Sequence, residues 1–172
     1  MNVREALALG RERLASAAGG EETPGGPAET PGLDADVLLR YILGVNRAWL
    51  FTHPERNLDD REEQRYIAAL QRRQCGEPVA YITGQQEFMG LPFRVKRHVL
   101  IPRPETETLV ERALEILALR APENAGSTPP TLGPLVVDVG TGSGAIAVSL
   151  AALGPRLRLV ATDISFTALA VA

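Results

Sequence analysis

Lysine is almost missing from this 172-residue chain: Lys96 stands alone among 18 basic residues, the rest being arginine. That bias, with the abundance of alanine, is read as genome composition and carries no function. Cysteine occurs once, at Cys75, which rules out an internal disulfide and a shared-cysteine metal site. Aromatics make up 5% of the residues, so any core must rest on Leu, Val, Ile and Ala within an ordinary 45% hydrophobic content. No block of like charge exists and the net charge is −3, which argues against a general polyanion binder but leaves room for a local basic patch. No stretch approaches the roughly 20 apolar residues of a membrane span. The opening Met1-Asn2-Val3-Arg4-Glu5 is acidic too early for a secretory signal. A soluble cytoplasmic protein without metal is expected. His53 and His98 have no partner at ligand spacing.

Periodicity divides the chain. Val3, Leu7 and Leu14 predict a helix over 3–17. Residues 19–32, rich in Gly, Pro, Glu and Thr, read as a flexible surface insertion. Asp34 is placed to cap a helix ending at Gly44, and Asn46 a short one through Phe51. Asp59 with Glu62 matches a capping box opening a helix to about Cys75. Its expected apolar stripe is Tyr66, Ile67 and Leu70, and Arg61, Glu63, Arg65, Arg72 and Arg73 are expected on the solvent face. Trp49 and Phe51 are expected in the core of this bundle, with substrate contact as the lesser reading. Two extended runs, 86–89 and 92–95, flank Gly90-Leu91 and predict a β-hairpin. Pro104 suits the start of a helix, with Glu105 and Glu107 at its positive end and Leu109, Val110, Ala113, Ile116 and Leu117 as its apolar face. Arg103, between two prolines, reads as a pin of the linker. Residues 121–134 are a second loop.

An α/β pattern follows. Residues 135–139 predict a buried strand, 143–153 a helix and 157–162 a second strand, and Ser165 caps a further helix. The turn Asp138-Val139-Gly140-Thr141-Gly142-Ser143-Gly144-Ala145 joins the first strand to its helix. Glycines there let the backbone touch a ligand. Asp163, about 20 residues past the first glycine, sits where an acidic residue accepts hydrogen bonds from ribose hydroxyls. Gly140, Gly142 and Ala145 also fit a dinucleotide fingerprint. Asp138 and the extra Gly144 fit the Asp-x-Gly-x-Gly-x-Gly of S-adenosylmethionine methyltransferases instead. A carboxylate is favourable beside a cationic sulfonium and unhelpful beside pyrophosphate. The bland alternatives are that Asp138 caps its own turn and that Asp163 is a turn residue before Ser165.

These residues resemble the HemK-type release-factor glutamine methyltransferases. The resemblance runs through Gly76-Glu77-Pro78-Val79-Ala80-Tyr81-Ile82-Thr83-Gly84 and Glu87-Phe88-Met89-Gly90-Leu91-Pro92-Phe93-Arg94-Val95. It continues through Val99-Leu100-Ile101-Pro102-Arg103-Pro104-Glu105-Thr106-Glu107, the glycine-rich turn with Ile146-Ala147, and Asp163-Ile164-Ser165 with Ala168-Leu169. It implies an α/β protein: a small N-terminal helical bundle that docks the protein substrate (1–84), a β-hairpin linker (85–103), and the incomplete start of a Rossmann-like class I S-adenosylmethionine methyltransferase domain (104–172). It implies methylation, in translation termination, of the glutamine amide in the Gly-Gly-Gln motif of class I peptide-chain release factors. A ribosomal-protein glutamine is the substrate of close relatives. S-adenosyl-L-methionine would lie against Asp138, Gly140, Thr141, Gly142, Ser143 and Gly144, with Asp163 on its ribose; Thr106 would be near it or serve its own helix. A monomer without direct nucleic-acid or membrane partners is expected.

The family's catalytic Asn-Pro-Pro-Tyr, at the end of the fourth strand, does not occur in these 172 residues. No catalytic residue is assigned, and the polypeptide as it stands is expected to be inactive. The alternative is a non-catalytic fragment that retains release-factor or cofactor binding. With only two strands, Val136, Val137, Val139, Leu159 and Val160 are expected to keep apolar surface in water, and residues beyond about 134 to pack loosely or aggregate.

Overall fold

The computed structural model describes residues 1–17, 30–119 and 133–172. Most of the expected insertion at 19–32 and of the loop at 121–134 therefore lies outside the described residues. The chain forms two compact units, Met1–Thr83 and Gly84–Ala172.

The first unit is helical: α1 (Val3–Ala17), α2 (Pro31–Leu43), α3 (Arg47–Thr52), α4 (Asp60–Gln74) and α5 (Val79–Thr83). Helix α1 buries Val3, Ala6 and Leu14, spaced along one face, while Leu7 is only partly covered. Helix α2 begins at Pro31, earlier than the Asp34 cap predicts, because proline suits a first helical turn. Asp34 therefore lies inside the helix and meets Arg73 Nε at 2.8 Å. Arg73 is accordingly drawn out of the expected solvent face, its side chain 9% exposed. Gly44 ends α2 with φ +67°, and its N–H donates to the Arg40 carbonyl.

Asn46 caps α3 by accepting the Trp49 N–H at 2.9 Å. Only Leu50 of this helix is fully buried. Trp49 packs against the core, whereas Phe51 is 69% exposed with the Arg47 guanidinium over its ring, so the expectation of a core Phe51 fails. A six-residue helix has one narrow inner face, and Leu50 takes it. Helix α4 carries the expected capping box: Asp59 Oδ1 accepts the Glu62 N–H at 2.8 Å, and Glu62 accepts the Asp59 N–H at 2.9 Å. Tyr66, Ala69 and Leu70 are buried while Ile67 is half-buried. Inside the bundle the nearly buried Asp36 lies 2.9 Å from Arg40, an ion pair without hydrogen-bond alignment. Burial, with Asp36 nearby, pushes the Tyr66 hydroxyl well above the usual tyrosine range, so it stays protonated and donates to the Ala35 carbonyl at 3.3 Å.

The second unit opens with a hairpin, β1 (Gln85–Phe88) and β2 (Leu91–Arg94), paired antiparallel. The turn is Met89-Gly90, one residue earlier than expected. Both residues have positive φ, +53° and +72°, as a two-residue turn matching the strand twist requires. Helix α6 (Glu105–Leu119) follows, with the Glu107 N–H bonded to the Pro104 carbonyl at 2.9 Å. Phe88 and Phe93 pack edge to face at 6.0 Å between centroids and share one core with Val110 and Leu117. The hairpin is thus part of this unit's core rather than a bare linker. Of the expected apolar face, Val110 and Leu117 are buried and Ala113 packs against them, while Leu109 and Ile116 stay about half exposed.

Strands β3 (Leu135–Val139) and β4 (Arg158–Thr162) pair in parallel, Val136 opposite Leu159 and Val139 opposite Thr162. Helix α7 (Ala145–Leu153) connects them, and α8 (Phe166–Leu169) follows Ser165, whose hydroxyl accepts the Ala168 N–H at 3.3 Å. Helix α7 starts two residues later than expected, since Gly142 and Gly144 have positive φ and Ser143 lies in the turn. Alternation splits the sheet. Val136 and Leu159 pack against the core with α6 and α7 and are partly buried, so they keep less surface in water than Val137, Val139 and Val160. Val137, Val139 and Val160 lie on the open face. Among the described residues no helix is long and apolar enough to cross a membrane.

Candidate functional site

The strand ends and the glycine-rich turn form one hydrogen-bonded cluster. The Thr162 carbonyl, at the end of β4, accepts the N–H groups of Gly140 and Thr141 at 2.8 and 2.9 Å. Parallel register makes this inevitable: Val139 pairs with Thr162, so the residues after Val139 cross directly over the end of β4. The Thr162 hydroxyl donates back to the Asp138 carbonyl at 3.3 Å. Asp138 is buried and its Oδ2 accepts the Thr141 hydroxyl at 2.7 Å. The Gly144 N–H closes the turn on the Thr141 carbonyl at 2.9 Å.

Asp163 ties the two halves together. Its Oδ2 accepts the Gly142 N–H and its Oδ1 the Ser165 N–H, each at 2.9 Å. The Ser165 N–H, then the Gly142 N–H, hold its carboxyl below the usual carboxylate range. Both bland alternatives are therefore visible: Asp138 fastens its own turn, and Asp163 makes a turn with Ser165. These bonds orient the carboxylates without using all their acceptor capacity, since each oxygen has two lone pairs.

Of the residues singled out from sequence, Asp138, Thr141, Gly142 and Asp163 are joined by hydrogen bonds, Gly140 and Gly144 are fixed by backbone bonds, and Ser143 is buried in the same turn. The three glycines differ. A Cβ at Gly140 would meet nothing within 4 Å, and one at Gly142 only a backbone oxygen at 4.0 Å, so both line open space. A Cβ at Gly144 would lie 3.1 Å from the Ala172 Cβ, so a side chain there would crowd that residue. Thr162 escaped the sequence reading. The signal for it was register: the residue before Asp163 must receive the turn once the two strands pair in parallel. Open glycine backbone beside two oriented carboxylates fits a ligand that carries positive charge and hydroxyl groups.

Residues 5–84 match the PrmC N-terminal domain family. A release factor glutamine methyltransferase of Koribacter versatilis is 48% identical over 143 residues, 83% of this chain and 47% of that protein. The one from Bordetella pertussis is 45% identical over 142 residues, covering 83% of this chain and 48% of its own length. The Moorella thermoacetica protein of the same name aligns with all of this chain at 43% identity, 54% of its own length.

Over most of its length the chain is similar to release factor glutamine methyltransferases, and its residues 5–84 match the PrmC N-terminal domain family. It spans about half the length of the curated relatives it matches. The segment that matches the N-terminal family model is almost coextensive with the helical unit Met1–Thr83. The alignment with the Moorella thermoacetica protein also spans the second unit, with the glycine-rich turn.

Proposed function

We propose that this chain supplies the substrate-docking helices and the cofactor-holding turn for methyl transfer from S-adenosyl-L-methionine to a glutamine side-chain amide of a peptide-chain release factor, within its Gly-Gly-Gln motif. One observation carries the reading: Asp138 and Asp163 are both fixed against a turn whose Gly140 and Gly142 line open space. Asp138 and the turn residues Gly140, Thr141, Gly142, Ser143 and Gly144 would hold the methionine part, and Asp163 the ribose hydroxyls. The cofactor, when bound, supplies an electrophilic methyl group on a sulfonium. The residues of this chain bind and orient it. Two carboxylates favour that cationic ligand over a pyrophosphate-bearing one.

A second reading has its own observation. Asn-Pro-Pro-Tyr, which in the family the sequence resembles would aim the amide nitrogen, does not occur in residues 1–172. On this reading these residues contribute binding of release factor or cofactor and not the aiming of the amide.

Titration calorimetry with S-adenosylmethionine, S-adenosylhomocysteine and NAD tests the first reading. Binding of the two sulfur compounds but not NAD, lost in Asp163→Ala, is expected; uptake of NAD alone would overturn it. A methyl-transfer assay on release factor, with a pull-down beside it, separates the two readings. Retention of release factor without methylation supports the binding module.

A further inference from the structure

The connection between the hairpin and α6 carries a run of positive charge. Arg94, Lys96, Arg97 and Arg103 fall in one run, and no carboxylate occurs between Glu87 and Glu105. This contrasts with a chain whose net charge is −3. Val95 and Val99 are buried, and the Val99 N–H bonds to the Lys96 carbonyl at 3.0 Å, so two valines pin the turn to the core. The intervening residues are turned outward: Arg94, Lys96, His98, Leu100 and Arg103 are all exposed. The cross-strand neighbour of Arg94 is the neutral Gln85, and Glu87 pairs with Pro92 toward the other end of the hairpin. Among the described residues, no carboxylate lies within ion-pair distance of Arg94, Lys96 or Arg103. Arg97 has an interaction of its own and is left out of the argument.

The middle of this run is apolar. Leu100 is 71% exposed between cations that flank it in sequence. A surface for single-stranded nucleic acid would be expected to offer a base something to stack on. Here the aromatic ring of the segment, Phe93, is buried in the core. An aliphatic side chain among spaced cations is complementary to a peptide that places an apolar residue among carboxylates.

We propose that Arg94, Lys96, Leu100 and Arg103 form a docking surface for an acidic protein segment with an apolar residue at its centre. The proposal rests on the reading that the chain acts on a protein, and assigns that protein an acidic segment outside the reacting glutamine. Its test needs no methyl donor, so failure of peptide binding and failure of cofactor binding are separate results.

Fluorescence anisotropy of the 172-residue chain, at low salt, would use three labelled probes: a glutamate-rich octapeptide with central leucines, the same peptide with glutamine for glutamate, and a single-stranded RNA decamer. The acidic peptide is expected to bind most tightly and to weaken as salt rises. The triple variant Arg94→Ser, Lys96→Ser, Arg103→Ser is expected to lose about tenfold in affinity. Removing Arg112, Arg156 and Arg158, exposed elsewhere in the same unit, changes net charge equally and should leave binding unchanged. Leu100→Ser is expected to cost about threefold without altering the salt dependence. Equal binding of the glutamine peptide, tighter binding of RNA, or equal losses in the two triple variants would overturn the proposal. Should the Arg94 triple variant misfold, the glutamine comparison and Leu100→Ser still decide.

Discussion

The Tyr66 hydroxyl occupies the space a side chain at position 10 would need. A Cβ built on Gly10 collides with that hydroxyl and falls 2.9 Å from the Ala35 Cβ. At Gly10, α1 therefore closely approaches Ala35 of α2 and the Tyr66 phenol of α4. Gly10→Ala is expected to destabilise the helical unit by about 1–3 kcal/mol through overpacking, despite alanine's better helix propensity. Tyr66→Phe alone removes one weak hydrogen bond and should cost about 0.5–1.5 kcal/mol. Because the two residues touch, the double variant should cost less than the two added together. Urea denaturation followed by Trp49, the single tryptophan and a resident of this unit, reads all three. Full additivity would show that the contact does not limit packing.

Arg56 and Glu62 predict a pH dependence. Glu62 accepts from both terminal nitrogens of the Arg56 guanidinium, one at 2.7 Å, while closing the cap on α4. The Arg56 hydrogen bonds hold the Glu62 carboxyl below its ordinary range, helped by the Asp59 N–H. A depressed folded-state pKa stabilises fully above the unfolded value, and that stabilisation is lost as pH falls through the folded one. Glu62→Gln keeps an acceptor for the Asp59 N–H while removing the charge and one acceptor facing Arg56. Since Arg56 is partly exposed, the gap between parent and variant at neutral pH should be no more than about 1 kcal/mol. It should close as the pH drops below the usual glutamate range. Thermal melts across that range measure it, and a gap that persists in acid would assign the effect to something other than ionisation.

The parts of the fold written locally were the legible ones. Asn46, Asp59 with Glu62, and Ser165 each announce a helix start through a side chain that bonds a backbone N–H within one turn, and each does so. The strand at 135–139 was legible as a short apolar run, but it is not the buried strand expected: Leu135, Val137 and Val139 are exposed, because only one face of the pair is covered. What escaped depends on partners distant in sequence. Arg73 looked like a solvent charge until α2 brought Asp34 to it. Phe51 looked like core until Leu50 took the narrow inner face of α3. At the candidate site the glycines and both aspartates could be named, but Thr162 could not, because its role exists only once β4 lies beside β3 in register.

Glu107 was expected to serve the positive end of α6, and it does a second thing. Its Oε1 accepts the Met89 N–H at 2.7 Å, fastening the hairpin turn to the helix. Met89 holds φ +53°, a conformation that L side chains rarely adopt, so this bond helps hold a strained residue in place. Glu107→Ala leaves that N–H without its acceptor and should destabilise the second unit by about 1–2 kcal/mol. The Met89 amide should then exchange with solvent about tenfold faster. Glu107→Gln retains a side-chain carbonyl and should restore most of the protection. Hydrogen exchange resolved at Met89 checks both, and equal protection in all three proteins would mean the turn is held by its backbone alone.

The two faces of β3 should respond oppositely to the same substitution one to three residues apart. Val136 packs on the core beneath α6 and α7, while Val139 is 81% exposed on the other face. Val136→Ser removes buried apolar surface and places a hydroxyl against the core, so a loss of about 1–3 kcal/mol is expected. Val139→Ser should change stability by no more than about 0.5 kcal/mol. It should also lower light scattering and dye binding on warming, since Val137, Val139 and Val160 together form an exposed apolar strip. Combining Val137→Ser with Val139→Ser should extend the solubility gain without a stability penalty. The contrast follows from strand periodicity alone, because neighbouring side chains point to opposite faces. If Val139→Ser destabilised the chain as much as Val136→Ser, the open face would have to be covered in solution, by a second copy or by residues outside those described, and the strip would be an interface rather than bare surface.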